Sequence, residues 1–445
     1  MSDVHVDAVA LRSRADAATF ASLPLPLAQR VFLALPADAR GRACCVCRAW
    51  RDALADPSLW ARLDLSAMDA EGQRFHVVWR GAAGRAYGQL RLLDLSQEDV
   101  ALHALLPVLA ANAGSLRELH LRSVDDEGDL HAMCPTVEAV VAAAPLLQVL
   151  TAEDAHCSGE HAPRMLRAEP PFAPLQIRRS LHVSFSGADY DGGIENFAPF
   201  AALADAALQP GLSQVRLLNA HTWYPAVVDA LVDAALARRL RELALQNCTP
   251  PAAAPLARLF AEGSLTVFEF YDSGGLLFDA ADAVLLGDAL RVNTTLTKLD
   301  LSCPDFCVDT RSAELLLGAL VGHPSLCELW ITCNEDLDAT EFGAALAALI
   351  AADAPALETF NCSSNSLEDA GLAPIVEALA LNRHLRELNV GRNGMSEAFA
   401  RERLLPAVRA NTTLRWLTCA NDDDEPEPDA VEEAEELVRL RGQRA

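Results

Sequence analysis

Positive charge is scarce in this chain: 36 Lys and Arg stand against 62 Asp and Glu, a formal net charge of −26. Such an acidic surface repels phosphate backbones and anionic bilayers, so neither nucleic acid nor membrane is expected as a partner. Basic protein surfaces are attracted, or the charge simply keeps the chain dissolved. Long apolar runs are missing too. The Ala-rich stretch from Gly343 to Ala352 stops at Asp353, short of the roughly 18 apolar residues that span a bilayer. The N-terminus carries Asp3 and Asp7 in place of the basic region that opens a signal peptide, so a cytoplasmic or nuclear protein is expected. Cysteines number 12, which in such a setting are small core residues rather than a disulfide frame. Cys44 and Cys47 form a C-x-x-C, and His156, Cys157 and His161 lie close together. Neither set has the second ligand pair of a structural zinc site, so no metal and no cofactor is expected. The phrases G-x-S-x-G, G-x-x-x-x-G-K-[ST] and H-E-x-x-H are absent, and no catalytic residue is nominated.

What is present is a core and a rhythm. At 51% hydrophobic residues the 445-residue chain can bury a large interior, in about two or three domains. The phrase L-x-x-L-x-L occurs as Leu90, Leu93, Leu95; as Leu116, Leu119, Leu121; and as Leu240, Leu243, Leu245. It returns as Leu296, Leu299, Leu301, as Leu326, Leu329, Ile331, and as Leu385, Leu388, Val390. Looser copies begin at Leu147, Leu212, Leu265, Leu357 and Leu414, with another near Arg178. The mean spacing is about 29 residues, the period of leucine-rich repeats.

The physical cause of the phrase is alternation. Its later leucines are separated by single polar residues, the period of a strand with one buried face. Between strands, Leu372, Ile375, Val376 and Leu379 fall on one side of a helix, as do Leu285, Leu286, Ala289 and Leu290. A single strand and helix cannot bury their apolar faces alone, so the units must stack. The expected fold is α/β: a horseshoe solenoid with a parallel sheet on its concave side and helices outside. Asn334, Asn365 and Asn393 recur after their strands, where a side-chain amide can bond the turn backbone. Asn293 and Asn411, in Asn-Thr-Thr-Leu, suit left-handed helix C-caps. These units resemble the ribonuclease-inhibitor type of leucine-rich repeat from about Leu90 to Asp422. Pro163, Pro170, Pro171 and Pro174 mark an irregular insertion at about 158–211.

A different pattern precedes the repeats. Leu23 and Pro24 open it, and Val31, Phe32 and Leu35 sit at helical spacing. Val46-Cys47-Arg48-Ala49-Trp50 follows, and Asp56-Pro57-Ser58-Leu59-Trp60 closes it. This order resembles an F-box. Gln29 stands where that family often carries an acid, and Gly41 and Arg42 where it is richer in aliphatics, so a frayed second helix is expected. About 45 residues are too few to hide all these apolar side chains, which must meet the repeats or a partner.

The resemblance implies a small all-α F-box that binds a Skp-type adaptor and, through it, a cullin. The chain would be the substrate-recognition subunit of an SCF-type E3 ubiquitin ligase, non-catalytic itself. The adaptor contacts implied are Leu23, Pro24, Val31, Phe32, Leu35, Val46 and Trp50. Side chains flanking the strand leucines point onto the concave sheet, which nominates Glu269, Tyr271, Asp300, Glu328, Trp330 and Asn361 for an unknown, basic protein substrate. The alternatives are an interaction scaffold without a ligase role, or a GTPase activator using a rim arginine such as Arg122 or Arg392. The expected organisation is a disordered 1–19, an F-box at 20–66, a linker and cap at 67–89, repeats at 90–422, and an acidic tail with a capping helix at 423–445.

Overall fold

The computed structural model describes residues 25–443, apart from 36, 47, 66–84, 87, 97–99, 123, 126–135, 160, 171, 173–174, 185–201, 206–208, 219–224, 249–251, 272–276, 304 and 421–428. The expected disordered N-terminus, most of the 67–89 linker and the acidic run before Asp429 therefore lie outside the described residues. Backbone contacts gather the chain into two units, residues 1–155 with 171–176, and residues 156–170 with 177–445.

The first unit begins with three short helices, α1 (Leu25–Leu33), α2 (Ala37–Ala43) and α3 (Arg48–Ala53), then a 3-10 turn at Pro57–Trp60. The second helix forms in spite of Gly41. A parallel ladder follows in sequence order: β1 (Arg62–Asp64), β2 (Leu92–Leu95), β3 (Glu118–Leu121) and β4 (Val149–Ser158). Helices α4 (Leu102–Ala111) and α5 (Thr136–Ala143) lie between strands in the chain, with a short parallel pair of Val100–Ala101 and Val124–Asp125.

Strand β1 was not anticipated. It belongs to the end of the F-box-like segment, where Trp60, Leu63 and Leu65 repeat the spacing of L-x-x-L-x-L with Trp in the first place. Trp60, Leu63 and Leu65 are all buried. The helical segment thus runs directly into the ladder, Leu63 registering with Leu93.

The second unit continues the same pattern through β5 (Leu175–Ser184), β6 (Gln214–Leu218), β7 (Glu242–Gln246), β8 (Val267–Tyr271) and β9 (Lys298–Ser302). Then come β10 (Glu328–Thr332), β11 (Thr359–Asn361), β12 (Glu387–Asn389) and β13 (Trp416–Thr418). Every neighbouring pair from β5 to β13 is parallel. The intervening helices are α6 (Ala162–Leu166), α7 (Pro225–Arg238), α8 (Ala253–Glu262), α9 (Ala280–Val292), α10 (Thr310–Leu320), α11 (Ala339–Ala351) and α12 (Glu368–Leu381). A π-turn at Ala400–Leu404 leads into α13 (Leu405–Ala410), and α14 (Asp429–Gly442) ends the described chain.

Asp279, Asp309 and Asp338 start α9, α10 and α11, each accepting backbone N–H bonds at 2.7–3.1 Å that the first turn cannot satisfy itself. Leu372, Ile375, Val376 and Leu379 are all buried, as their spacing requires, whereas Leu285 is left half out of the core. Helices α11 and α12 approach so closely that a Cβ on Gly343 would strike the carbonyl of Gly371.

The asparagines do more than the sequence suggests. Asn365 Nδ2 donates to Cys362 O in its own turn at 2.9 Å and to Ile331 O in the preceding repeat at 2.8 Å. Its Oδ1 accepts from Asn334 N, and Asn393 Oδ1 accepts in turn from Asn365 N. The helix-end asparagines differ from expectation. Asn293 and Asn411 are extended, both with φ −71 and ψ 134, not left-handed. Their Oδ1 atoms turn forward to accept two backbone N–H groups, while Nδ2 reaches back to the preceding repeat. A left-handed backbone would aim the amide away from both.

Candidate functional site

Two surfaces carry the nominated side chains. The first is α1. Ala28 and Phe32 are its buried residues, and Phe32 packs edge-on against Trp50 with ring centroids 5.5 Å apart. Leu25, Leu27, Val31 and Leu33 are exposed on the same helix, and Val46 is 61% exposed in the turn after α2. Leu27 and Val31, four residues apart, share one helix face. The helix is thus apolar on sides that the fold does not bury.

Of the expected adaptor contacts, Val31 and Val46 are exposed, and Leu35 and Trp50 are half-buried. Leu23 and Pro24 lie outside the described residues. Phe32 requires correction: at 1% exposure it belongs to the small domain's own core rather than to its surface. Leu25, one of the apolar side chains too many for the small segment to hide, is exposed. So are Leu27 and Leu33, which the sequence alone did not single out, although the run from Leu23 to Leu35 has more leucines than one helix side can hide.

Polar groups lock this domain to β1. Buried Arg40 donates to Leu59 O and to Arg62 O, and lies over the Trp60 ring at 5.5 Å. Burial pulls its guanidinium pKa down. Trp60 Nε1 donates to Leu54 O at 2.8 Å, and Arg85 covers the ring at 5.1 Å. Gln29 finds a role here as well. Its Nε2 donates to Asp56 Oδ2 at 2.8 Å, while Asp56 Oδ1 accepts from Ser58 N. These bonds, Ser58's first, hold the Asp56 carboxyl below its ordinary range. An acid at position 29 would repel Asp56.

The second surface is the outward face of the ladder in the second unit. Register aligns a row Arg216, Ala244, Glu269, Asp300, Trp330, Asn361, Asn389 and Thr418. Beside it runs Gln214, Glu242, Val267, Lys298, Glu328, Thr359, Glu387 and Trp416. All six nominated residues stand on these strands, but their chemistry differs from a bare acidic patch. Lys298 Nζ lies 2.6 Å from Glu269 and 4.0 Å from Glu328, and 5.0 Å over the Trp330 ring. Arg216 lies 3.6 Å from Glu269 and 5.8 Å over the Tyr271 ring, whose hydroxyl donates to Gln246 at 2.9 Å.

The face therefore carries its own cations over both expected aromatics, and Glu269 is already neutralised. Asp300 is also not a free contact. It is buried, its Oδ1 accepts from Ser302 N at 2.9 Å, and burial pushes its carboxyl up. Burial, then Glu269, likewise raises Glu242. Lys298 is raised: burial works against its charge, but the Glu269 bond and the Glu269, Asp300 and Glu328 charges outweigh it. Trp330 is half-buried, with its Nε1 enclosed and without a hydrogen-bond partner among the described residues. Trp416 was missed, although it occupies the position that Lys298, Glu328 and Glu387 hold in their repeats. Of the rim arginines, Arg122 pairs with Glu153 at 3.8 Å, and Arg392 has a left-handed backbone at φ 53.

Among the described residues no group of three or more His, Cys, Asp and Glu could hold a metal, and no helix is long and apolar enough to cross a membrane.

Comparison with known proteins agrees with the geometry of the N-terminal helices. The F-box-like family model matches residues 20–66. F-box/LRR-repeat protein 23 of Arabidopsis thaliana is 26% identical over 207 residues, 45% of this chain and 42% of that protein, so the alignment spans less than half the relative. Among solved structures, the Rad7 and Elc1 complex from yeast aligns at 14% identity with a TM-score of 0.34, covering 72% of this chain and 68% of that one. Actin-binding site 2 of leiomodin-1 aligns at 18% identity with a TM-score of 0.29, covering 36% of this chain and 94% of that one.

Proposed function

We propose that this chain, an F-box followed by leucine-rich repeats, is the substrate-recognition subunit of an SCF-type E3 ubiquitin ligase. Its F-box binds a Skp-type adaptor, which connects it to a cullin, and its ladder face holds a protein substrate. The chain contributes positioning, and ubiquitin transfer belongs to other subunits in the cytoplasm or nucleus. The observation that carries this reading is α1, whose apolar side chains outnumber those its own domain buries, inside a segment that matches the F-box-like family. Exposed leucine and valine on a helix face are what an adaptor groove takes up.

The test replaces Leu27 and Val31 together with Asp. Both are exposed, so the repeats should stay folded, while adaptor capture should weaken by about 2–4 kcal/mol, the range of truncated interface anchors. Undiminished co-purification of the double variant with the adaptor would sink the assignment. Reconstitution with adaptor, cullin and conjugating enzyme then separates a ligase receptor, which promotes ubiquitin transfer to a captured protein, from a scaffold, which does not.

A further inference from the structure

The last strands carry a surface that no described residue fills. Trp416 on β13 is 62% exposed, and its Nε1 donates to Thr418 Oγ1 at 3.1 Å, which fixes the ring. Its register partner on β12 is Glu387, also exposed. Among the described residues no cation stacks on Trp416, and Glu387 has no ion pair. The arginines beside them in sequence are committed elsewhere. Arg386 pairs with Glu358 at 3.4 Å, and Arg415 Nη1 donates to the carbonyls of Thr412, Thr413 and Leu414.

Next to this pair stand Asn361 and Asn389, in register on adjacent strands about 4.8 Å apart. Each Oδ1 is occupied by the backbone N–H two residues on, at 3.0 Å, from Ser363 and Gly391. Their Nδ2 groups donate no hydrogen bond among the described residues. The face thus offers an indole, a carboxylate and two amide donors.

The same ladder shows what an indole and a carboxylate accept. Lys298 sits over Trp330 between Glu269 and Glu328. At Trp416 the indole and the carboxylate are in place and the cation is not. We infer that Trp416 and Glu387 receive a lysine or arginine side chain of a partner protein, within an extended segment whose carbonyls accept from Asn361 and Asn389. An acidic segment is repelled by Glu387 and by the net charge of −26, and a nucleic acid that could stack on Trp416 is repelled in the same way. This names the substrate chemistry of the receptor proposed above and rests on that reading for its biological meaning.

The test uses the full chain alone. It is titrated with an acetylated, amidated Gly-Gly-Lys-Gly-Gly peptide and with its norleucine counterpart, following the Trp416 indole N–H resonance, assigned by its loss in Trp416→Phe. The lysine peptide should shift that resonance and the norleucine peptide should not. Glu387→Gln, nearly isosteric and exposed, leaves the indole contact in place and should weaken the response roughly two- to fivefold, as loss of an exposed ion pair implies. Equal shifts with norleucine, or an unchanged affinity in Glu387→Gln, would overturn the inference. Adaptor capture is measured separately. Its failure beside an intact lysine response counts against the ligase reading alone, and the converse result counts against this inference alone.

Discussion

At the scale of the residue, one repeat position shows how different side chains meet the same demand. Asn293, Asn382 and Asn411 each end a helix, accept the next backbone N–H groups, and donate to a carbonyl of the preceding repeat. His323 takes the same place after α10: Nδ1 receives Ser325 N and Leu326 N, and Nε2 faces Leu290 O. That pattern requires a neutral ring with its proton on Nε2, and burial accordingly lowers the His323 pKa. Asp300 is the acidic counterpart of Asn361, since both receive the backbone N–H two residues on. Its folded pKa is raised, chiefly by burial, so the folded state keeps a proton longer than the unfolded state. Ionisation therefore costs stability as pH rises through that window, and the cost is absent below the ordinary aspartate range. Asp300→Asn keeps the acceptor and removes the charge. Its melting temperature should match wild type near pH ~3 and exceed it increasingly towards neutrality. A difference that does not vary with pH would assign the effect to packing instead.

At the scale of the element, the ends of the ladder need the most attention, because a terminal strand exposes one row of backbone groups. Helix α14 meets that need for β13. Ala430, Val431, Ala434 and Val438 are buried on one of its faces, and Glu435 accepts from Cys419 N at 2.6 Å just past the strand. Helical spacing in the sequence already placed a cap here, since Val431, Ala434 and Val438 recur every three or four residues. Val438→Asp should cost about 3 kcal/mol in urea unfolding, the scale of a buried uncompensated charge, and should promote aggregation. Leu440→Asp, at a more exposed position, is the control and should change little. Equal behaviour of the two would mean that α14 does not seal the ladder. The other informative element is β1, hidden in the sequence because a tryptophan stands where the repeat expects leucine. Reading Trp60 as the end of a motif obscured its second role as the first core residue of a repeat.

At the scale of the whole molecule, charge governs encounters. A net charge of −26 over the whole chain, together with the exposed Glu387 carboxylate, should draw basic partners by long-range attraction that salt screens. Capture of a lysine-rich peptide should therefore weaken steeply between roughly 0.05 and 0.5 M salt, whereas adaptor capture through apolar α1 should change little. Parallel salt dependence of the two would indicate that both contacts are electrostatic. The sequence alone determined the repeat period, the strand positions from β2 onward down to the weak copy near Arg178, and the F-box-like segment. These depend on local alternation and on motif order, which the chain states residue by residue. Only the tertiary structure decided which side chains remain available to a partner. Phe32 and Asp300 lie on the expected elements but are buried, Glu269 is taken by Lys298 and Arg216, and Trp416 stands open. Availability is a property of neighbours, and neighbours here come from repeats about 29 residues away, where no local pattern can record what has already been paired.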